Sequence, residues 1–365
     1  MSAGIAVEAL TLTVGAFRLQ ELDLAVSGGE ILVILGPNGS GKSVALETIA
    51  GFHRPDSGRV LINGRDVTAL APERRNVGFV VQNFGLFPHL TVTQNVAIAR
   101  RTDRKDIATE RTIALPRDVA GLLDYLGVAH LGERWPEDLS PGEKQRVALA
   151  RTLASAPDLF LFDEPFASLD TEIRDQLREE LLSFLRALTI PAIFVTHDHD
   201  DAMRLADKIV VLREGAVMQA GPAMEIFGKP ANAFVARFIG VENILEARVA
   251  QAAGELAMLM VRDRELYASV PAGSVTMGRE VRLAIRGEQV TIESPDEEWL
   301  SPGINRLDGR VTSVRSLNPL VTVEIDCGFP VRGYLLAPQA RAMNIEAGKS
   351  VTVTIRADAV HVMVD

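Results

Sequence analysis

Short, fully apolar runs alternate with amphipathic stretches through the first two thirds of the chain. Residues 31–35, 77–81, 159–162 and 192–195 are almost entirely apolar and rich in β-branched or aromatic side chains, which predicts strands buried on both faces. Residues 171–188 repeat apolar positions at helical spacing and predict an amphipathic helix. Strands and helices in alternation predict an open α/β sheet that binds its ligand at the carboxyl edge of the strands.

Other segments alternate apolar and polar residues and predict antiparallel strands. Residues 9–14 and 19–26 precede the first buried strand, and residues 209–212 and 216–220 predict a hairpin around Gly215. Residues 90–139 carry a mixed-charge helical pattern instead.

The composition changes after residue 240, where strand-type residues, Gly and Pro replace the long helical patterns. An internal repeat lies here: residues 243–249 match 305–311, and residues 278–286 match 348–356. Two copies in the same order predict two similar β modules, which we expect to be partly open barrels. We therefore predict domains at 1–240 and 241–365.

Composition limits the possible partners and compartment. With 365 residues, 24% of them charged and a net charge of −10, the chain lacks the basic excess of a nucleic-acid-binding protein, and we expect no nucleic acid partner. Cys327 is the sole cysteine, so no intrachain disulfide forms, and no apolar run reaches the ~18 residues of a membrane span. The start has no basic, apolar leader pattern, so we expect a cytosolic chain.

The strongest local motif follows the first buried strand. Its glycines let successive backbone N–H groups point into one concavity, at the start of an apolar-periodic helix. We predict a nucleotide-phosphate cradle in which Lys42 reaches the β- and γ-phosphates and Ser43 binds Mg²⁺. The cradle consists of Gly36, Pro37, Asn38, Gly39, Ser40, Gly41, Lys42 and Ser43.

Two carboxylates follow a later buried strand. Asp163 and Glu164 come directly after residues 159–162, so both emerge at the rim of the sheet. Asp163 would hold Mg²⁺, directly or through water, and Glu164 would orient the water that attacks the γ-phosphate. A strand-end turn with solvated acids is the alternative, and the phosphate cradle earlier in the chain favours the functional interpretation.

A second helix start carries two interpretations. Ser140 and Glu143 have the spacing of a capping box, with Pro141 at the first helical position. The free N–H groups of the same helix start also suit an anion. The spacing alone does not choose between a cap and an anion site.

The order of these motifs resembles that of ABC-transporter ATPases over roughly residues 5–240. The resemblance implies a P-loop NTPase with a RecA-like α/β core, an antiparallel β subdomain and a helical subdomain at about 90–150. It also implies that Gln82 senses Mg²⁺ and the water, that His197 contacts the γ-phosphate, and that Asp170 communicates between protomers. The matching motifs are 36–43 (Walker A), Gln82 (Q-loop), 139–145 (signature), 162–165 (Walker B), 168–170 (D-loop) and His197 (switch).

The signature departs from the family pattern. Leu-Ser-Gly-Gly-Gln of the family is Leu-Ser-Pro-Gly-Glu here, so Pro141 removes an N–H and Glu143 replaces an amide. In the family this motif closes over ATP bound to a second copy. The resemblance thus implies a homodimer in which Ser140 and Gly142 complete the partner's ATP site. The family's adenine-stacking aromatic is not found at its usual place, and Phe17 is the nearby candidate, with a core role as the alternative.

The C-terminal β modules resemble the TOBE-type regulatory domains of importer ATPases, an all-β, OB-like fold. Within that group the chain is most similar to molybdate and tungstate importers. Thr312, Ser313, Arg315 and Ser316 are candidates for hydrogen bonds to an oxyanion, and a plain polar β surface is the alternative.

The resemblance implies an ATP hydrolase, with ATP and Mg²⁺ as cofactors, that powers an ABC importer. It would lie peripherally on the cytoplasmic face of the inner membrane, against integral permease subunits that are served by a periplasmic or extracellular solute-binding protein. The apolar residues 83–89 would contact the permease or fill the core. The alternatives are another cargo (sulfate, ferric iron, a polyamine or a sugar) and a soluble ABC ATPase acting on nucleic acid or ribosomes, which the acidic single module disfavours. A P-loop kinase or GTPase would lack the 139–145 motif and His197.

Overall fold

The computed structural model describes residues 4–100, 116, 118–167, 171–295, 303–317 and 319–364. The chain divides into two compact units, Met1–Ile226 and Phe227–Asp365, and each is described by itself. The predicted domain boundary after residue 240 lies C-terminal to this division. Within the described residues, none of the helices combines the length and apolar character that a bilayer crossing needs.

The first unit contains two sheets and most of the helices. Its strands are β1 (Ile5–Val14), β2 (Phe17–Val26), β3 (Ile31–Leu35), β4 (Ser57–Ile62), β5 (Arg65–Asp66), β6 (Val77–Val80), β7 (Leu159–Asp163), β8 (Ala192–Thr196), β9 (Lys208–Arg213) and β10 (Ala216–Pro222). Its helices are α1 (Lys42–Ala50), α2 (Pro72–Arg75), α3 (Val92–Ala97), α4 (Val119–Tyr125), α5 (Pro141–Ala154), α6 (Thr171–Leu188), α7 (His199–Leu205) and α8 (Ala223–Gly228), the last of which crosses into the second unit.

The larger sheet contains the buried parallel strands that the apolar runs predict, and β10 is added at its edge as the antiparallel partner of β9. Its order is β10-β9-β3-β8-β7-β6, with β3 pairing in parallel to both β8 and β9. All residues of β3 and β8 are buried, and the Phe162 and Phe194 rings stack with centroids 4.3 Å apart. Because β3, β6, β7 and β8 run parallel, their carboxyl ends share one edge, and the residues that follow them meet there.

The smaller sheet is antiparallel and has the order β2-β1-β4-β5, as the alternating pattern predicts. Its apolar face joins a single core with α1 and with side chains of β3, β7 and β8. The sheet therefore supports the helix that begins at the phosphate cradle.

The second unit is almost entirely β. Its helices are α9 (Ala233–Phe238) and α10 (Ala337–Ala342). Its strands are β11 (Asn243–Ala253), β12 (Leu256–Val261), β13 (Arg264–Ser269), β14 (Glu280–Ile285), β15 (Val290–Glu293), β16 (Ile304–Leu317), β17 (Leu320–Asp326), β18 (Pro330–Leu336), β19 (Ser350–Arg356) and β20 (His361–Met363).

The two repeats of this unit exchange their last strands. β20 of the second repeat pairs with β14 of the first, and β15 of the first pairs with β19 of the second. The resulting sheets are β13-β12-β11-β14-β20 and β15-β19-β16-β17-β18, and they enclose one continuous hydrophobic core. The repeats therefore do not form two independent barrels, because each repeat supplies an edge strand to the sheet of the other.

Equivalent asparagines reinforce this exchange. Asn243, in the first repeat, donates from Nδ2 to the carbonyls of Ile285 and Arg332, and its Oδ1 accepts from the Arg332 N–H. Asn305, the repeat-related residue, does the same with Ile355 and Tyr267. Each asparagine is only 3% exposed and connects its own repeat to the third strand of the other.

Candidate functional site

The phosphate cradle needs glycine at two positions for different reasons. A Cβ added to Gly36 would lie 2.4 Å from the Leu212 carbonyl oxygen and 2.6 Å from Ser40 Oγ, so only glycine fits between β9 and the loop. Gly41 precedes α1 with φ +100, a left-handed conformation that glycine adopts without strain. The strand, the loop and the helix therefore take the arrangement that the sequence predicts.

The polar groups of the cradle suit a phosphate chain. Lys42 Nζ donates to the carbonyls of Gly36 and Pro37, at 2.9 and 3.2 Å, and burial lowers the pKa of this amine. Ser40 is 1% exposed, and its Oγ is one of the buried side-chain atoms in the described part of the chain that have no hydrogen-bond partner. A buried ammonium whose described hydrogen bonds go to backbone carbonyls, and a buried hydroxyl without a partner, both favour an anionic ligand here.

Ser43 and Asp163 form the second part of the site. Ser43 Oγ donates to Asp163 Oδ1 over 3.1 Å, so the start of α1 meets the end of β7. Burial raises the pKa of the Asp163 carboxyl, against the opposing effect of the Ser43 hydrogen bond. Hydroxyl and carboxylate oxygens are the ligands that Mg²⁺ prefers. Among the described residues, no group of three His, Cys, Asp or Glu side chains is arranged to hold a metal ion.

Glu164 and His197 lie next to each other at the same edge. His197 Nδ1 is 3.1 Å from Glu164 Oε1, and the Glu164 N–H donates to the Val195 carbonyl over 3.0 Å. Glu164 has a φ of 46, a left-handed conformation that is uncommon outside glycine and that occurs at functional sites. The Glu164 side chain is 21% exposed and that of His197 is 51% exposed, so both remain open to a ligand.

Gln82 follows β6, the strand next to β7, and is exposed. The segment after it is held by residues that sequence reasoning did not single out. Arg151 of α5 donates to the carbonyls of Phe84 and Gly85, and its guanidinium lies 5.5 Å from the Phe87 ring centroid. No local pattern marks this residue, since its partners lie more than sixty positions away in the sequence.

A buried asparagine fixes the other side of the same segment. Asn95 of α3 is 0% exposed, accepts from the Phe87 N–H and donates to three carbonyls, including that of Phe87. Phe84 is buried while Phe87 is 40% exposed, so the segment presents some of its apolar surface and fills the core with the rest.

The start of α5 is the capping box that the spacing predicts. The Ser140 N–H and hydroxyl both donate to Glu143 Oε2, at 2.7 and 2.8 Å, and the Glu143 N–H donates back to Ser140 Oγ. These bonds hold the pKa of Glu143 below its usual range. An added Cβ on Gly142 would come 3.2 Å from the Leu177 side chain of α6. The contacts found for Ser140 are therefore with its own helix and not with the cradle.

Phe17 and Asp170 are the two remaining residues that the sequence predicts for the site. The Phe17 ring packs against the cradle, since a Cβ on Gly41 would lie 2.2 Å from its Cζ, and the ring also borders the core of the first unit. Asp170 lies outside the described residues. The structure thus brings together the residues of the cradle, Asp163, Glu164 and His197. Ser140 and Gly142 lie at the start of α5, outside this group.

The parallel strands carry a phosphate cradle after β3 and acidic residues at the end of β7. This arrangement defines a P-loop nucleoside triphosphatase. The family model for ABC transporters matches residues 19–167. The chain is 36% identical to the molybdate/tungstate import ATP-binding protein WtpC of Pyrococcus horikoshii over 98% of this chain and 99% of that protein. The chain belongs to the ABC transporter ATPases, in the branch of import ATP-binding proteins.

Other similar proteins agree with this assignment. The chain is 39% identical to the sulfate/thiosulfate import ATP-binding protein CysA of Thermosynechococcus vestitus, over 80% of this chain and 86% of that protein. It is 35% identical to the spermidine/putrescine import ATP-binding protein PotA of Nitrosomonas europaea, over 91% of each chain. Among solved structures, cbiO1 of Clostridium perfringens, part of the ABC transporter complex cbiONQ, is 28% identical with a TM-score of 0.53 and covers 66% of this chain and 96% of that one.

Proposed function

We propose that this chain binds MgATP through Lys42, Ser43 and Asp163, and hydrolyses it with Glu164 as the base, to power an importer of molybdate- or tungstate-type oxyanions. The observation that carries the proposal is the meeting of the Ser43–Asp163 and Glu164–His197 pairs at one edge of the parallel sheet. These pairs would bracket the γ-phosphate, one on the metal side and one on the water side.

Each side chain has a defined task in this scheme. Lys42 and the backbone N–H groups of the cradle bind the phosphate oxygens, and the Ser40 hydroxyl gains the partner that it lacks. Ser43 and Asp163 would hold Mg²⁺, which would supply positive charge against the negative charge that develops on the phosphate oxygens. Glu164 accepts a proton from the attacking water, and His197 orients the Glu164 carboxylate while it contacts the γ-phosphate. Gln82, at the adjacent strand end, would sense the metal and the water.

We further propose that two copies act together. The cradle of one copy would be completed by Ser140 and Gly142 of the other, with Asp170 near the contact between them. Support comes from the start of α5, because Ser140 and Pro141 are exposed there and a helix N-terminus carries a partial positive charge. The partner would be a second copy because one chain carries one cradle and one such helix start.

The proposed setting is the cytoplasmic face of the cell membrane. Import ATP-binding subunits work with permease components, and we propose that residues 83–89, including the half-exposed Phe87, form the surface that meets the permease. A periplasmic or extracellular solute-binding protein would deliver the cargo to that permease.

Cargo is proposed from the relatives. Molybdate/tungstate import proteins from Pyrococcus horikoshii and Pyrococcus abyssi match over 98% of this chain, which favours oxyanions; sulfate and polyamine importers are the alternatives. The oxyanion site at residues 312–316 stays a prediction: the Thr312 hydroxyl donates to the Glu324 carbonyl, and the Ser313 hydroxyl donates to the Glu324 carboxylate, which also accepts from Arg332. The proposal here concerns the transported cargo.

The base assignment is tested by Glu164→Gln, which keeps the shape of the side chain but cannot accept the proton. We expect ATP affinity to remain while turnover falls by about 100-fold or more. Glu179→Gln, at an exposed position of α6, is the matched control and should hydrolyse ATP normally. Native turnover in Glu164→Gln would refute the assignment.

The cargo is tested separately in cells. A strain that lacks this chain should lose high-affinity uptake of molybdate and tungstate, and recover it when the native chain, but not Glu164→Gln, is returned. If the strain lost sulfate or spermidine uptake instead, the molybdate/tungstate proposal would be wrong and that solute would be the cargo.

A further inference from the structure

The loop that carries His197 is attached to α6 by two arginine–aspartate pairs. Arg174 and Arg178 lie one helical turn apart on α6, and Asp198 and Asp201 lie nearly one turn apart at the start of α7. Arg174 Nη1 donates to Asp198 Oδ2 over 2.8 Å, and Arg178 Nε donates to Asp201 Oδ1 over 2.9 Å. The spacing of the two arginines on α6 thus matches the spacing of the two aspartates at the start of α7.

The inner pair is fully buried. Arg178 is 2% exposed and Asp201 is 4% exposed, and a second nitrogen of Arg178, Nη2, also donates to Asp201 Oδ1. Arg178 Nη1 reaches Asp175 and Asp200 in addition. Replacing a buried ion pair by apolar side chains is often neutral for stability, so stability alone does not account for these charges. A buried pair does fix one arrangement of the two elements that carry it.

That arrangement extends to both neighbours of His197. The Thr196 hydroxyl donates to Asp201 Oδ2 over 3.4 Å and accepts from the Asp198 N–H over 3.0 Å. Asp198 in turn caps α7 by accepting from the N–H groups of Asp200 and Asp201. His197 itself is half exposed, so packing does not hold its ring; the residues before and after it do.

We infer that this clamp, consisting of Arg174, Arg178, Thr196, Asp198 and Asp201, positions His197 against Glu164. The members of the clamp are positioning residues, since the contacts described for them lie with each other, with Asp175 and Asp200, and with neighbouring backbone. The inference rests on the proposed role of His197. The Thr196 hydroxyl is its central link because it joins both aspartates around the histidine.

Thr196→Val tests the link with the smallest change, since valine has the same shape and lacks the hydroxyl. We expect kcat for ATP to fall by about 10- to 100-fold, because a displacement of about 1 Å in a catalytic group can cost ~100-fold, while KM changes little. Thr152→Val is the matched control: Thr152 is also buried, but its hydroxyl bonds to the Ala148 carbonyl within α5. This control should keep the native kcat.

Combination with His197→Ala separates positioning from general damage. If the clamp acts through His197, Thr196→Val should cause no further loss in single-turnover hydrolysis once His197 is alanine. The doubly apolar variant Arg178→Met/Asp201→Leu, checked for native melting, should show the same loss of kcat and the same dependence on His197.

The outcomes are distinct. Native kcat in Thr196→Val, or losses that simply multiply with that of His197→Ala, would overturn the clamp and leave the proposed hydrolysis intact. Native turnover in His197→Ala itself would overturn both the clamp and the proposed role of His197.

Discussion

Ser43 Oγ and Asp163 Oδ1 lie 3.1 Å apart, although 120 positions separate these residues in the sequence. The contact joins the first turn of α1 to the end of β7, and it places two hard oxygen donors beside the phosphate cradle. A cation at this point would be held partly by the chain and partly by the nucleotide, so its affinity depends on both.

Ser43→Ala should weaken the use of Mg²⁺ more than the binding of ATP. The Ser43 hydroxyl is one of the oxygen ligands proposed for Mg²⁺, so we expect the Mg²⁺ concentration for half-maximal hydrolysis to rise by about 10-fold or more. Titration of Mg²⁺ at saturating ATP measures this shift. Ser57→Ala, at an exposed position of β4, should leave the curve unchanged, and an unchanged curve for Ser43→Ala would remove Ser43 from the metal site.

Asp163→Asn should stabilise the chain when no nucleotide or Mg²⁺ is present. Burial raises the pKa of Asp163 above its usual value of 3.8, so the folded chain binds this proton more tightly than the unfolded chain. The ionised carboxylate therefore costs stability above the raised pKa, and the cost disappears as the pH falls below 3.8.

Melting temperatures at about pH 4 and pH 7 check this sign. Asp163→Asn should melt above the native chain at neutral pH, and the difference should shrink at the lower pH. The exposed Asp124→Asn serves as the control. If the native chain melts at a higher temperature than Asp163→Asn at neutral pH without ligands, the predicted sign is wrong.

Glu143→Gln should strengthen the nucleotide-dependent association of two copies. The Glu143 carboxylate accepts both donors of Ser140, at the helix start that is proposed to face the partner's phosphates. Glutamine keeps an acceptor for the cap and removes the negative charge, so repulsion of the phosphates decreases. Sedimentation of the Glu164→Gln background with ATP, with and without Glu143→Gln, measures the dimer. Weaker association in the double variant would contradict the expectation.

Asn243→Ala and Asn305→Ala should destabilise the second unit to a similar extent. Each substitution leaves one N–H and two carbonyls of buried strands without their side-chain partner, at a cost of about 2–4 kcal/mol. Calorimetry of the full chain should show a lower transition for this unit, with ATP hydrolysis at 25 °C unchanged. The exposed Asn83→Ala is the control, and a large difference between the two asparagines would show that the repeats are not energetically equivalent.

Local patterns predicted the parts of the site that are contiguous in sequence. The cradle is a strand, a glycine loop and a helix within a short segment, and the Ser140–Glu143 cap depends on a spacing of three residues. Parallel strands also made the meeting of Asp163 with Ser43 predictable, because their carboxyl ends share one edge. Each of these inferences needs only local geometry or the topology of one sheet.

Contacts between distant side chains were not predictable. Arg151 and Arg178 are ordinary charged positions on amphipathic helices, and only packing shows that one binds loop carbonyls and the other a buried aspartate. The strand exchange is a similar case. Matched segments reveal that there are two repeats, but strands of equal pattern pair as well with the other repeat as with their own.

That exchange has a consequence for the order in which the chain is synthesised. β14 is made well before β20, and until β20 arrives β14 is an open edge, able to pair with a strand of another chain. The first repeat therefore cannot finish folding when its own residues have left the ribosome, and it waits for residues 361–363. A late and non-local pairing of this kind slows folding, so the β14 edge of the second unit is exposed to aggregation while the remaining residues are synthesised.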